Sequence, residues 1–268
     1  YNPEHYLKQT IESVLAHQIE EDAMQIEVVD DCSSDMDVQA LVRQVAGDRV
    51  KYFRRPERGG LAPCWNTCIE RAKGKWVHIL HQDDIVMPGF YQALRTGIEC
   101  EPSIGAAFCR HVYINENDHW VYIAPLQADH PGIIPDWLDR IASRSLISTP
   151  VIVVKREAYE KVGFFSTDLV YVIDWDMWKR IAVEYPVWYE PRPLAGYRVH
   201  NSSETGRLQK TGADINDVRV GLNKSRLYLP KDIYDRSRPI AADLLAREAL
   251  KTARLKIESG EYSVAIKQ

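Results

Sequence analysis

The chain has none of the loops by which proteins most often hold a nucleotide phosphate. There is no GxxxxGK[ST], and no GxGxxG follows a strand-like segment. P-loop kinases and dinucleotide dehydrogenases therefore lose ground. A GxSxG elbow is absent too, which removes the usual signature of an α/β-hydrolase. The five cysteines, Cys32, Cys64, Cys68, Cys100 and Cys109, are odd in number and form no CxxC pair. Reduced thiols in a cytoplasmic protein are expected, with Cys64 and Cys68 as small apolar helix residues rather than metal ligands. No excess of positive charge exists, since 34 basic residues face 38 acidic ones for a net charge of −4. Nucleic acid is not an expected partner. No apolar run reaches the length of a bilayer span, so the 268 residues are expected to be soluble.

What is present is an alternation of short apolar runs with helical patterns. YNPEHYLKQTIESVLAHQ places Leu7, Ile11, Val14 and Leu15 on one helical face. A short strand over Gln25 to Val29 stops at Asp30 and Asp31, and a helix spans roughly Val38 to Val45. Further on, LAPCWNTCIERAKG reads as a helix, WVHIL as a strand, PGFYQALRTGIEC as a helix and IGAAFCRHVYIN as a strand. Such alternation predicts an α/β fold with a mostly parallel sheet flanked by helices.

In open α/β sheets ligands gather at the carboxyl ends of strands. Two acidic pairs stand at such ends, Asp30 with Asp31 and Asp83 with Asp84. The first pair has an equally good explanation as turn or helix capping within DDCSSD. Capping explains the second pair less well, because Pro88 sets the next helix several residues later. Adjacent carboxylates repel unless water or a cation reaches both. Carboxylates with few nearby His or Cys suit Mg²⁺ or Mn²⁺, and Mg²⁺ is usually shared with substrate phosphates.

YNxxxYLxxxIxSVL, IEVVDDCSSD, GGLAPCWN, AKGKWVHILHQDD, VVKREAYEKVGFF, IDWDMWKR and YRVHNSS follow one another in that order. Over residues 1 to about 206 the sequence thereby resembles the inverting nucleotide-sugar glycosyltransferases of family two, of GT-A fold and bacterial surface-polysaccharide type. In that family an initial strand precedes the first motif, and here Tyr1 and Asn2 open the chain. The resemblance implies that Tyr1 lies against the nucleobase and that Asp31, with Asp30 just inside it, accepts from the base. It implies that Asp83 binds ribose and metal and that Asp84 binds metal. His81 occupies the first acidic place of the family's DxDD, where it would ligate Mn²⁺ or bond to ribose. His200 would lie near the diphosphate as a metal ligand, or else be solvated. Arg198 would neutralise phosphate oxygens. Arg58, with Gly59 and Gly60, either approaches the nucleotide or forms a plain turn. Trp65 is expected in the core, Asn66 tying loops together, and Trp175 either stacking on a sugar or buried.

The implied reaction transfers a sugar from a nucleoside diphosphate donor to a hydroxyl of a glycan or lipid-linked glycan, with inversion, in the cytoplasm or at the inner membrane face. It needs one carboxylate as general base. Asp174 and Asp176 compete for that role. Asp176 and Arg180 stand at i and i+4 and are expected to form a surface ion pair. Asp174 lacks such a partner and matches the family's base. Residues 207–268 read as a helical extension, with two helices meeting around Ser259 and Gly260. It is expected to brace the catalytic part, or to serve oligomerisation or peripheral membrane association. A catalytically silent nucleotide-sugar or glycan-binding module is the alternative. A nucleotidyltransferase is a third reading, disfavoured by the missing Gly- and Lys/Arg-rich phosphate loop.

Overall fold

The computed structural model describes residues 3–200, 203–258, 260 and 262–265. Tyr1, Asn201 and Ser259 lie outside the described residues. The first helix, α1 (Pro3–His17), buries Tyr6, Leu7, Ile11 and Val14 as the periodicity requires, and Thr10 shares that buried face. β1 (Glu27–Asp30) leads to α2 (Val38–Ala46), whose start is capped by Asp37 accepting from the Ala40 N–H at 2.9 Å. β2 (Lys51–Arg54) pairs parallel with β1. α3 (Leu61–Arg71) turns its apolar face, Ala62, Trp65 and Ile69, inward.

β3 (Trp76–His78), β4 (Ile85–Val86) and α4 (Phe90–Cys100) follow, with Asp83 and Asp84 between the two strands. Then come β5 (Ala106–Ile114), β6 (Trp120–Ile123), β7 (Gly132–Ile133), α5 (Trp137–Ser143), β8 (Ile152–Lys155) and α6 (Arg156–Val162). α7 (Ile173–Glu184) precedes the long β9 (Val187–Arg198). The chain ends in α8 (Glu204–Thr211), α9 (Ala213–Lys224), α10 (Lys231–Glu258) and α11 (Tyr262–Ala265).

The larger sheet runs β3-β8-β5-β9-β4, with β6 on β5 and β7 on β9. β5 lies at its centre and is buried along nearly its whole length, as a strand covered on both faces must be. The α/β architecture expected from the alternation is present. The sheet is mixed, however: among the described residues only β1 with β2 and β5 with β9 pair in parallel. The physical reason lies late in the chain. β8 enters between β3 and β5 and runs antiparallel to both.

The core packs Phe90, Ile104, Phe108, Trp178 and Tyr189 from helices and sheet into one cluster. Val218, Leu222 and Ala241 of the C-terminal helices belong to the same cluster, so these helices pack onto the sheet domain. The division expected at residue 206 falls inside α8. Among the described residues no helix is long and apolar enough to cross a membrane.

Candidate active site

A cleft of about 1490 Å³ opens where β1, β3 and the first turn of α7 converge. Its lining includes Asp30, Asp31, Arg58, His81, Asp83, Asp84, Asp174, Arg198 and His200. These nine residues singled out from the sequence therefore border one space, whereas Asn66, Trp175 and Asp176 do not line it.

Asp30 ends β1 and holds its own turn. It accepts from the Ser33 N–H at 2.9 Å, from the Tyr52 hydroxyl at 2.8 Å and from Arg54 at 2.9 Å. Burial raises its pKa, but these partners outweigh it and leave the carboxyl below its usual range. Asp31 pairs with Arg55 and accepts the N–H groups of Gly59, at 3.0 Å, and Gly60, at 2.7 Å. Gly60 has a φ of 84°, a left-handed conformation that favours glycine, and so the GG pair folds its amides onto the acid. The carboxylate expected to meet a nucleobase is here engaged with its own loop. Arg58 stands exposed at the rim.

His81, Asp83 and Asp84 are the one cluster among the described residues whose candidate ligand atoms converge, all within 4.8 Å of one another. Asp84 is only 1% exposed. Its Oδ1 accepts the Arg198 backbone N–H at 2.7 Å, while Oδ2 lies 3.3 Å from His81 Nδ1. Burial lifts its pKa to about 6 against the opposing pull of His81. Burial would push His81 down, yet its bond to Asp84 and the charges of Asp84, Asp83 and Asp174 hold it above its ordinary value. The ring stacks on Trp65 at 5.2 Å between centroids, which explains why Trp65 is both core and cleft lining. His200 is not part of the converging cluster; its Nε2 stands 2.9 Å from Asp83 Oδ2. That bond outweighs burial and keeps Asp83 below its usual pKa.

These residues fit a hard divalent cation. Asp84 Oδ2 is buried with only the His81 ring beside it, 3.3 Å away, and His81 Nε2 is buried with no hydrogen-bond partner; two acids with one imidazole suit Mn²⁺ or Mg²⁺.

Arg198 corrects its expected role. Its side chain is 0% exposed. Nε donates to the Asp83 carbonyl at 2.7 Å and one terminal nitrogen to the Asn115 carbonyl at 2.9 Å, with Asp118 at 2.7 Å and Gln9 at 3.3 Å completing the shell. The guanidinium also lies over the Tyr6 ring, 4.5 Å from its centroid. A cation so enclosed pins the acidic loop from behind and has little left for a phosphate. Sequence reasoning missed this shell and Thr10, whose hydroxyl reaches the carbonyls of Gln82 at 2.9 Å and Asp84 at 2.7 Å. The available signal was a threonine on the apolar face of α1.

Asp174 lies in the first turn of α7, partly buried, and accepts the Trp175 N–H at 2.7 Å. Burial raises its pKa to about 6 despite that bond. Asp176 points away and forms the expected pair with Arg180 at 3.0 Å, but at 1% exposure this is no surface pair. It also accepts the Tyr228 hydroxyl at 2.9 Å. Trp175 is core, with Nε1 donating to the Ile141 carbonyl at 2.6 Å. Asn66 ties loops as expected, bonding the Phe165 carbonyl at 3.0 Å and its N–H at 2.8 Å.

The profile of Glycosyl transferase family 2 matches residues 1–162, more than half of the chain. The chain belongs to that family. This family 2 domain is 28% identical over 222 residues to the uncharacterized protein MT1568 of Mycobacterium tuberculosis, covering 78% of the chain and 69% of that relative. Its fold is similar to that of S. aureus TarS in complex with UDP-GlcNAc, with a TM-score of 0.73 at 16% identity over 91% of this chain and 69% of that one. It is also similar to the mannosyltransferase PcManGT from Pyrobaculum calidifontis in complex with GDP-Man and Mn2+, with a TM-score of 0.66 at 17% identity over 100% of this chain and 82% of that one. The architecture is that of a GT-A glycosyltransferase.

Proposed function

We propose that this domain transfers a sugar, with inversion, from a nucleoside diphosphate sugar to a hydroxyl of a glycan or lipid-linked glycan in surface-polysaccharide synthesis. The observation that carries the proposal is the shared cleft: Asp174, raised to about 6, lines the same space as His81, Asp83 and Asp84. Asp174 is then mostly deprotonated at neutral pH and serves as general base, taking the proton of the acceptor hydroxyl as it attacks. Asp83, Asp84 and His81 would hold a divalent cation, which supplies charge stabilisation to the departing diphosphate. Asp30 and Asp31 would shape the loop that borders the nucleotide, and Arg58, exposed on the cleft lining, would meet the donor's phosphates. The donors named for TarS and PcManGT support a nucleotide sugar, and the Mn2+ of PcManGT supports a metal.

A screen of UDP-, GDP- and dTDP-sugars for nucleoside diphosphate release, with Mn²⁺ and with excess chelator, tests this. Release that depends on metal, with product of inverted anomeric configuration by NMR, is expected. The His81–Asp84 pairing favours a second reading, a silent donor-binding module. Donor binding without release or transfer from any sugar would select it.

A further inference from the structure

α7 carries Asp174 but has no cap of its own, because Val172 before it offers no side-chain oxygen. Amide groups at a helix start need acceptors. Those leading into α7 are met from α9. Asp217, 6% exposed, accepts from the backbone N–H groups of Val170 at 3.1 Å, Tyr171 at 2.7 Å and Val172 at 3.0 Å. Three successive donors on one carboxylate fix the path of the chain, and the negative charge suits the positive end of the α7 dipole.

Gly221, one turn further along α9, lies against the same loop, where an added Cβ would come within 2.7 Å of Val172 Cγ2. Ser225, another turn on, receives the buried Lys179 ammonium, and Tyr228 reaches Asp176. Asp217 and Gly221 stand at i and i+4 of α9 and Ser225 directly follows its last residue, so one side of this segment follows α7 from its approach to its middle. None of these residues lines the cleft. The Asp174 carboxylate is bonded to its own neighbouring amide, Trp175 N–H at 2.7 Å, so it travels with the backbone of this turn.

We propose that Asp217 is a positioning residue for sugar transfer: by clamping the amides of residues 170–172 it sets the first turn of α7, and with it the place of the Asp174 carboxylate in the cleft. This rests on Asp174 being the base.

The test uses the full chain, with nucleoside diphosphate release measured from UDP-GlcNAc or GDP-mannose, whichever the wild type turns over, UDP or GDP affinity by calorimetry, and amide hydrogen exchange. Asp217→Asn keeps the shape but replaces one accepting oxygen with a donor. It lowers kcat about 10- to 10²-fold, the scale of a small misplacement of a reacting group, while KM for donor and diphosphate affinity stay unchanged. Gly221→Ala, which leaves Asp217 in place, gives the same split and is read if Asp217→Asn does not fold. Asp174→Asn combined with Asp217→Asn is no slower than Asp174→Asn alone, because both act at one point. Exchange quickens at residues 170–176 and not in β1 or β5.

An unchanged kcat in folded Asp217→Asn, or in Gly221→Ala where Asp217→Asn does not fold, additive losses in the double variant, or exchange that quickens throughout the chain overturns the proposal. If neither donor is turned over, exchange decides, and unchanged rates at residues 170–176 overturn it. A wild-type rate in Asp174→Asn removes the base itself. A slow Asp174→Asn beside a fast Asp217→Asn removes only the clamp.

Discussion

Asp174 and Asp176 show how two acids in one short motif are separated by their surroundings. Their spacing put them on different sides of a helix, which was legible; the burial of each was not, because it comes from segments remote in sequence. Asp174, at about 6 against an unfolded value near 3.8, binds its proton more tightly when folded. Folding stability at this position therefore falls as pH rises from about 4 to 6, and the full cost remains above that window. Asp174→Asn is expected to stabilise the protein at pH 7 to 8 by on the order of 2–3 kcal/mol, at about 1.4 kcal/mol per pKa unit, and by nothing below about pH 4. Thermal melts across that range check this, and a constant difference at every pH would contradict it. Transfer by the wild type is expected to rise with pH through about 6 as the base ionises. Arg198 was misread for the same reason as Asp176: four of its partners, Gln9, Asp83, Asn115 and Asp118, lie far back in the chain.

At the scale of elements, α7 is held from outside. Asp176 joins Arg180 within the helix to Tyr228 beyond it, at 3.0 and 2.9 Å. Asp176→Ala removes a buried acceptor shared by the half-buried Arg180 and Tyr228, while Arg180 keeps the carbonyls of Val162, Gly163 and Phe164 and Tyr228 keeps Ser225 beside it; it is expected to cost about 1–3 kcal/mol, above the few tenths of a surface pair. Denaturant unfolding measures this; a loss below about 1 kcal/mol would return Asp176 to the surface-pair description. The end of β1 was readable because its apolar run stops at an acid pair; that of β3 was not, since the strand ends at His78, before the rest of its apolar run and ahead of Asp83. Strand direction was not, since a strand's composition says nothing of which neighbour it pairs with, and β4 and β7 are two residues long.

For the whole molecule, the family and the acidic cleft were legible as a series of motifs in order, while the lattice behind them was assembled by distant pieces. His81, Asp83 and Asp84 are brought within reach of one cation by α1, β9 and the acidic loop together. Mn²⁺ at 100 times its Kd is expected to stabilise the wild type by about 2.7 kcal/mol, and Asp84→Asn to lose that increment while remaining folded. Melts with Mn²⁺ and with chelator check it, and an equal increment in the variant would remove Asp84 from the metal site. The most direct test of sugar transfer in this cleft is the transfer rate of Asp174→Asn at saturating donor, with donor affinity measured on the same samples. A fall on the order of 10²–10⁴-fold with affinity unchanged is predicted for a lost general base; a wild-type rate from the folded variant would contradict it.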